Sequence, residues 1–177
     1  MSEVRTAHTA DLDGDTLAAA RGLMAAAFGD EFEDADWEHA LGGIHALAYV
    51  DGELVGHASV VMRRMVHGGR ALRVGYVEAV AVHADHRRRG YGGAVMAPLE
   101  RIIRRAYDVG FLAATDAGAA LYRSRGWQRW EGRLSALTPH GVEHTPEEEG
   151  YVYVLPGDTR LDLAGELTCD WRDGDVW

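Results

Sequence analysis

The chain has 177 residues, of which 47% are hydrophobic, and it carries a formal net charge of −10. This length and composition predict one domain with a packed core, and no stretch approaches the roughly 18 apolar residues of a membrane span. The acidic charge argues against nucleic acid as a partner and favours cationic ones. The absence of a basic-then-apolar signal at the N-terminus predicts a cytoplasmic protein, and the lone Cys169 excludes an internal disulfide.

Hydrophobic patterning predicts alternating strands and helices along the chain. In chain order these are a strand at residues 4–9, helices at 17–28 and around Trp37, strands at 46–50 and 54–62 and one ending at Val82, a helix at 94–107, a strand at 111–115, a helix at 117–125, and strands at 127–137 and 151–155.

Two turns stand out between the early elements. Asp51-Gly52 separates two apolar runs and favours a type I′ turn, which joins antiparallel strands tightly. His67-Gly68-Gly69-Arg70 predicts a second turn before the long strand. Further upstream, Asp13 or Asp15 can cap the first helix through a carboxylate.

Later boundaries depend on proline and glycine. Pro98 is tolerated only in the first turn of a helix, which moves the expected start of the third helix towards Ala97. Gly126 is the expected stop of the fourth helix. The resulting order is a β-meander, then strand–loop–helix, then strand–helix–strand, which is typical of a mixed α/β fold.

A glycine-rich turn follows the long strand and opens a helix. It carries Arg87-x-x-Gly90-x-Gly92, and backbone N–H groups in such a turn can converge on a pyrophosphate. A P-loop is excluded because the protein has no lysine, and a Rossmann fingerprint is not formed. An arginine-rich surface turn is the plain alternative, but the preceding strand and following helix favour a phosphate site.

This turn resembles the acetyl-coenzyme A loop of the GNAT N-acetyltransferase superfamily. Residues 120–127 (ALYRSRGW) are similar to a second superfamily element. The segments 36–43, 75–78 and 169–177 together resemble the aminoglycoside 2′-N-acetyltransferases of mycobacteria and other actinobacteria. The resemblance spans nearly the whole chain and implies a single-domain GNAT acyltransferase fold over residues 1–177, with a mixed, mostly antiparallel sheet flanked by helices.

The resemblance implies acetyl-CoA as co-substrate and no metal. His83 and His86 lie close in sequence but have no third ligand. A bulge in the long strand is expected to free main-chain groups for the pantetheine arm. The cofactor-binding residues that follow from the resemblance are Val80, Ala81, Val82, Arg87, Arg88, Arg89, Gly90, Tyr91, Gly92 and Gly93.

Three residues are candidates for the chemistry. Glu78 is the one charged residue of an apolar strand, and alternation places it on the face of Val80, whose N–H is expected to polarise the acetyl carbonyl. A carboxylate there can deprotonate the ammonium through water, unless it is merely an edge charge facing solvent. Tyr122 resembles the family's general acid to the thiolate, and a tyrosine packed in the core is a serious alternative.

The substrate site is expected to attract a cationic aminosugar. The residues that the resemblance assigns to it are Glu31, Asp36, Glu78, Ala79, Ala113, Glu148, Asp175 and Trp177 with its terminal carboxylate, the tail 168–177 forming part of the site. Glu31 and Glu148 stand where related enzymes tend to carry aspartates, which affects fine substrate preference. A homodimer is implied by the resemblance.

Three functions remain open from sequence. The first is acetylation of the 2′-amine of aminoglycosides. The second is acetylation of another cationic metabolite or a cell-wall amino sugar. The third is a binding protein that sequesters coenzyme A or the drug without turnover. The presence of both Glu78 and Tyr122 argues against the third.

Overall fold

The computed structural model describes residues 1–177. The strands form a mixed, mostly antiparallel sheet that is accompanied by helices. The elements are β1 Ser2–His8, α1 Gly14–Phe28, α2 Asp34–His39, β2 Ile44–Val50, β3 Glu53–His67, β4 Arg70–Val82, α3 Tyr91–Ala106, β5 Val109–Ala113, α4 Asp116–Ser124, β6 Gln128–Arg129, β7 Leu134–Thr138, β8 Gly141–His144, β9 Val152–Leu155 and β10 Leu167–Cys169.

The chain divides into two compact units. The first contains Met1–Val61 and Val77–Arg101, and the second contains Met62–Tyr76 and Ile102–Trp177. The long strands β3 and β4 each contribute residues to both units.

The first unit is an antiparallel meander with helices. β2 pairs with β1 from Ser2 opposite Val50, and with β3 as far as Val60. Both residues of the Asp51-Gly52 turn have positive φ, 51° and 91°, which confirms the expected type I′ turn. The core of this unit unites α1 and α2 with β4 through the buried residues Ala20, Leu23, Met24, Trp37, Ala40 and Ala81.

The second unit carries the strand order β6-β9-β5-β4-β3-β10-β7-β8. β4 runs parallel to β5 over three residue pairs that end at Tyr76 and Phe111, and β10 runs parallel to β7. Two fully buried tryptophans, Trp127 and Trp130, are the largest core side chains here, and the Trp130 ring centroid lies 5.6 Å from that of Phe111.

Local signals explain where several helices start and stop. Asp13 caps α1 by accepting a 2.7 Å hydrogen bond from the Thr16 N–H, as expected. Gly126 follows α4 with φ +89°, the left-handed conformation of a helix stop. The expectation for α3 was wrong, because this helix begins at Tyr91 and holds Pro98 in its interior.

The early start of α3 has a packing explanation. A proline costs the helix one hydrogen bond, but Val95, Met96 and Leu99 are all completely buried on either side of it. Burial of three large apolar side chains, each worth about 1.5–3 kcal/mol, outweighs that loss. No helix in the structure has the length and apolar character needed to cross a membrane.

Candidate active site

The centre of the expected site is a break in strand β4. Ala79 has φ +54° within the strand, a left-handed conformation that costs a non-glycine residue about 1–2 kcal/mol. A left-handed residue inside a strand is one of the conformations that produce a β-bulge. Val77 and Ala81 are buried, whereas Glu78, Ala79 and Val80 between them are all half-buried.

This break corrects one expectation. Strict alternation would place the side chains of Glu78 and Val80 on one face of the strand. The left-handed Ala79 interrupts that alternation, so a two-residue spacing no longer fixes the relative direction of the two side chains. Ala79 itself packs its methyl group against the core of the first unit.

The glycine-rich turn leads from β4 into α3 within the first unit. Arg88 and Gly90 both have positive φ, 61° and 87°, and α3 starts directly afterwards at Tyr91. A Cβ built on Gly90 would meet no protein atom within 4 Å, so open space lies in front of this backbone. Positive helix-end N–H groups, exposed arginines and free space together fit a pyrophosphate.

One group expected to contact pantetheine is engaged within the chain. The Val82 carbonyl accepts a long hydrogen bond, 3.3 Å, from Nε of Arg87. The ring of His86 makes edge-to-face contacts with two neighbours, with its centroid 5.9 Å from that of His83 and 5.8 Å from that of Tyr91. No group of three or more His, Cys, Asp or Glu side chains is arranged to hold a metal ion.

Tyr122 lies on α4 in the second unit. Thr115 caps this helix by accepting a hydrogen bond from the Gly118 N–H, which sets the helix register. The Tyr122 side chain is 6% exposed, and its ring meets Trp127 at 6.2 Å between centroids. Burial raises the pKa of the Tyr122 phenol well above its ordinary value, so the hydroxyl keeps its proton at neutral pH.

The second unit brings two of the expected substrate acids together. The pKa of Glu148 is raised first by burial and then by the negative charges of Asp175 and Glu147. Acids that repel one another in this way favour the arrival of a cation, because a positive charge relieves the repulsion.

The tail that carries Asp175 is fixed by two arginines. Nη2 of Arg63 donates a 2.7 Å hydrogen bond to the Val176 carbonyl, and Nη2 of Arg172 donates one of 2.9 Å to an oxygen of the Trp177 α-carboxylate. The Trp177 indole is buried, and its N–H donates to the Thr145 hydroxyl at 2.8 Å.

The remaining expected substrate residues are spread over both units. In the first unit Glu31 is exposed, and Asp36 uses one carboxylate oxygen to accept a 2.8 Å hydrogen bond from the Glu33 N–H at the start of α2. In the second unit Ala113 is the exposed last residue of β5.

Sequence reasoning missed Arg63 and a pair of buried histidines, His45 and His57. All three lie in strands of the meander and are at most 4% exposed. Polar residues within otherwise apolar strands were the available signal.

Comparison with known proteins places the chain in a family. A model of the acetyltransferase (GNAT) domain matches residues 8–130. The chain is 50% identical over 177 residues to the aminoglycoside 2′-N-acetyltransferase of Mycolicibacterium fortuitum, a match that covers 98% of this chain and 91% of that protein.

Solved structures show the same fold at low identity. A GNAT family acetyltransferase from Brucella melitensis in complex with acetyl-CoA superposes with a TM-score of 0.62 at 16% identity, covering 94% of each chain. The ribosomal-protein-S18-alanine N-acetyltransferase of Escherichia coli gives 0.60 at 21%, covering 88% of this chain and 94% of that one. Eis1 from Mycobacterium abscessus gives 0.62 at 23%, but the match covers 76% of this chain and only 33% of Eis1.

The domain model matches most of the chain, and the relative is half identical to it along nearly its full length. The chain belongs to the GNAT acetyltransferase family.

Proposed function

We propose that this chain is an aminoglycoside 2′-N-acetyltransferase that transfers the acetyl group of acetyl-CoA directly to the amine. The observation that carries this proposal is 50% identity over 98% of the chain with the M. fortuitum enzyme of that name. The mutual repulsion of Glu148 and Asp175 supports a polycationic acceptor.

The co-substrate has a matching set of residues in the first unit. Residues 87–93 hold the pyrophosphate through backbone N–H groups and arginines, and the main chain of Val80, Ala81 and Val82 holds the pantetheine arm. Acetyl-CoA supplies the thioester whose C–S bond breaks as the new C–N bond forms. The free space in front of Gly90 supports this assignment.

Two side chains handle the protons. Glu78 attracts the ammonium and accepts its proton through water, which leaves the uncharged amine that attack requires. Tyr122 gives a proton to the departing thiolate. The role of acid requires a hydroxyl that is protonated before the reaction, and the Tyr122 hydroxyl is protonated at neutral pH.

The acceptor is held mainly by acids. Glu31, Asp36, Glu148 and Asp175 bind its ammonium groups, with contacts from Ala79, Ala113 and Trp177. The tail 168–177 therefore belongs to the substrate site. Its fixation by Arg63 and Arg172 supports this, because a positioned tail loses less entropy on binding.

The test uses two aminoglycosides that differ at one position. Kanamycin B carries an amine at position 2′, and kanamycin A carries a hydroxyl there. We expect thiol release from acetyl-CoA with kanamycin B and none with kanamycin A. Equal release with both would overturn 2′ specificity, and binding of both without release would indicate sequestration.

The proposal extends to the cell. Acetylation of the drug in the cytoplasm would confer resistance, and expression in a susceptible host should raise the inhibitory concentration of kanamycin B alone.

We also propose a homodimer. Four exposed apolar side chains on one sheet face of the second unit, Met62, Val66, Leu137 and Val142, support self-association. Light scattering at the mass of one chain would overturn the dimer.

A further inference from the structure

Two buried histidines connect strand β2 of the meander to the break in β4. His45 on β2 and His57 on β3 are both 0% exposed. Nδ1 of His57 lies 2.8 Å from the Ala79 carbonyl oxygen, and Nε2 of His57 lies 2.8 Å from Nδ1 of His45. Nε2 of His45 lies 2.7 Å from the Thr9 hydroxyl. All these residues belong to the first unit.

The hydrogen-bond partners determine which nitrogen of each imidazole carries its proton. The Ala79 carbonyl can only accept, so Nδ1 of His57 carries a proton. Burial keeps both imidazoles neutral, each with a single N–H. Nε2 of His57 must then accept from Nδ1 of His45, and Nε2 of His45 must accept from the Thr9 hydroxyl.

Thr9 is fixed in turn. Its oxygen accepts a 2.9 Å hydrogen bond from the Gly42 N–H. The hydroxyl has two acceptors within reach, and Nε2 of His45 at 2.7 Å is closer than the Gly43 carbonyl oxygen at 3.3 Å. Trp37 covers the pair, with its ring centroid 5.8 Å from that of His57 and 6.4 Å from that of His45. The imidazole of His57 is therefore oriented from one side by hydrogen bonds and from another by packing.

The peptide at the end of this chain is the one that matters for the reaction. The Ala79 carbonyl and the Val80 N–H belong to the same planar peptide unit, so fixing the carbonyl fixes the N–H on the opposite side. Ala79 is left-handed at φ +54°, a conformation that persists only when its surroundings hold it. A hydrogen bond to the carbonyl also polarises the amide and strengthens the N–H as a donor.

We propose that His57 is a positioning residue, aligned by His45 and Thr9, that holds the Ala79–Val80 peptide so that the Val80 N–H meets the acetyl carbonyl. This inference rests on the proposed function, which gives Val80 its role. The buried histidines then have a role in catalysis in addition to filling the core. If the pair were purely structural, its loss would lower stability without lowering kcat selectively relative to KM.

Three substitutions of His57 distinguish a positioning role from a purely structural one. His57→Leu removes both hydrogen bonds. His57→Asn keeps an amide N–H at the position of Nδ1, where it can donate to the Ala79 carbonyl. His57→Gln extends its amide to the position of Nε2 and loses the donor to Ala79.

We expect His57→Leu and His57→Gln to lower kcat at least about 10-fold, with much smaller changes in KM for acetyl-CoA. His57→Asn should recover most of kcat. Equal kcat in all three variants, or wild-type kcat in His57→Leu, would overturn the inference. All assays are run below the melting temperature of the least stable variant.

His67→Leu is the matched control. Nδ1 of His67 also donates to a backbone carbonyl, that of Glu166 at 2.8 Å, and Nε2 accepts from the Asp162 N–H. Replacing His67 removes the same kind of histidine-to-backbone hydrogen bond in the second unit. We expect lower stability with wild-type kcat, and a fall in kcat equal to that of His57→Leu would overturn the inference.

A second readout needs no amine and so separates this inference from the proposed function. In ¹⁵N-valine-labelled protein, the Val80 amide resonance should shift more with acetyl-CoA than with coenzyme A. The difference should shrink in His57→Leu and return in His57→Asn. The same difference in all three proteins, or none in the wild type, would overturn the inference, whereas failure to acetylate kanamycin B would overturn the function alone.

Discussion

Tyr122 combines deep burial with a polar group that the reaction can use. Burial disfavours the phenolate, since the charged form is poorly solvated there, so the hydroxyl is protonated at neutral pH. The same burial lets the ring pack against Trp127. The proposed catalytic role belongs to the hydroxyl of this residue, and the packing role belongs to its ring.

Tyr122→Phe removes that hydroxyl and keeps the ring. We expect kcat to fall about 10²–10⁴-fold with both KM values and the melting temperature nearly unchanged, because the proton is needed only in the transition state. Tyr107→Phe is the control, since Tyr107 is another tyrosine whose pKa is raised by burial. Equal kcat in the two variants would show that Tyr122 serves packing alone.

The residues of the site differ in how far sequence could predict them. Glu78 and the arginines of the turn were visible because a charge in an apolar strand and a glycine turn before a helix are local patterns. The left-handed Ala79 was not, because alanine carries no preference for that conformation. It is stabilised by His57, which lies 22 residues away in sequence, and such a contact leaves no local trace.

Among the elements, the turn between β4 and α3 depends most on backbone conformation. Gly90→Val places a β-branched side chain at φ +87° and fills the space in front of the backbone. We expect KM for acetyl-CoA to rise at least about 10-fold while KM for kanamycin B changes little, because the N–H groups can no longer approach the pyrophosphate.

Gly52→Val controls for strain alone. Gly52 has φ +91° with no protein atom within 4 Å of an added Cβ, so the two variants should lose similar stability, about 1–2 kcal/mol. An equal rise in KM for acetyl-CoA in both variants would assign the effect to destabilisation and remove the turn from the cofactor site.

Elements with local signals were predicted well, and those that depend on distant partners were not. The Asp51-Gly52 hairpin is encoded by two adjacent residues. The expected strand at 127–137 is interrupted instead, because Gly132 lies against the backbone of Gly165, where a Cβ would come within 1.9 Å of the carbonyl oxygen. Strand β10 was missed altogether, since its three residues gain their structure from pairing with β3 and β7.

For the molecule as a whole, the buried histidines link stability to pH. Burial lowers the pKa of His45 and of His57 to about 4, against 6.5 in an unfolded chain. Below pH 6.5 the two histidines therefore bind protons in the unfolded state but not in the folded state. The free energy of unfolding falls as the pH drops from 6.5 towards 4. Above pH 6.5 the two histidines contribute no pH dependence.

This linkage is measurable as a difference between two proteins. Between pH 7.5 and pH 5, the wild type should lose roughly 2 kcal/mol more free energy of unfolding than His57→Asn, which has one buried imidazole fewer. Urea unfolding at both pH values provides the measurement, and carboxylates common to both proteins cancel. Equal losses would mean that His57 is protonated as readily in the folded protein as in the unfolded chain.

The C-terminal tail contributes to both stability and recognition of the acceptor, and we expect each of its two tryptophans to serve mainly one of these roles. Trp177 is 2% exposed and donates to Thr145, whereas Trp171 is 46% exposed. Trp177→Ala should therefore cost about 3–5 kcal/mol of stability, and Trp171→Ala less than about 0.5. The free face of Trp171 can lie against a sugar ring, so Trp171→Ala should raise KM for kanamycin B several-fold and leave KM for acetyl-CoA unchanged. Urea unfolding and steady-state kinetics of both variants provide the comparison. If Trp171→Ala has the kinetics of the wild type, this aromatic face takes no part in holding the acceptor.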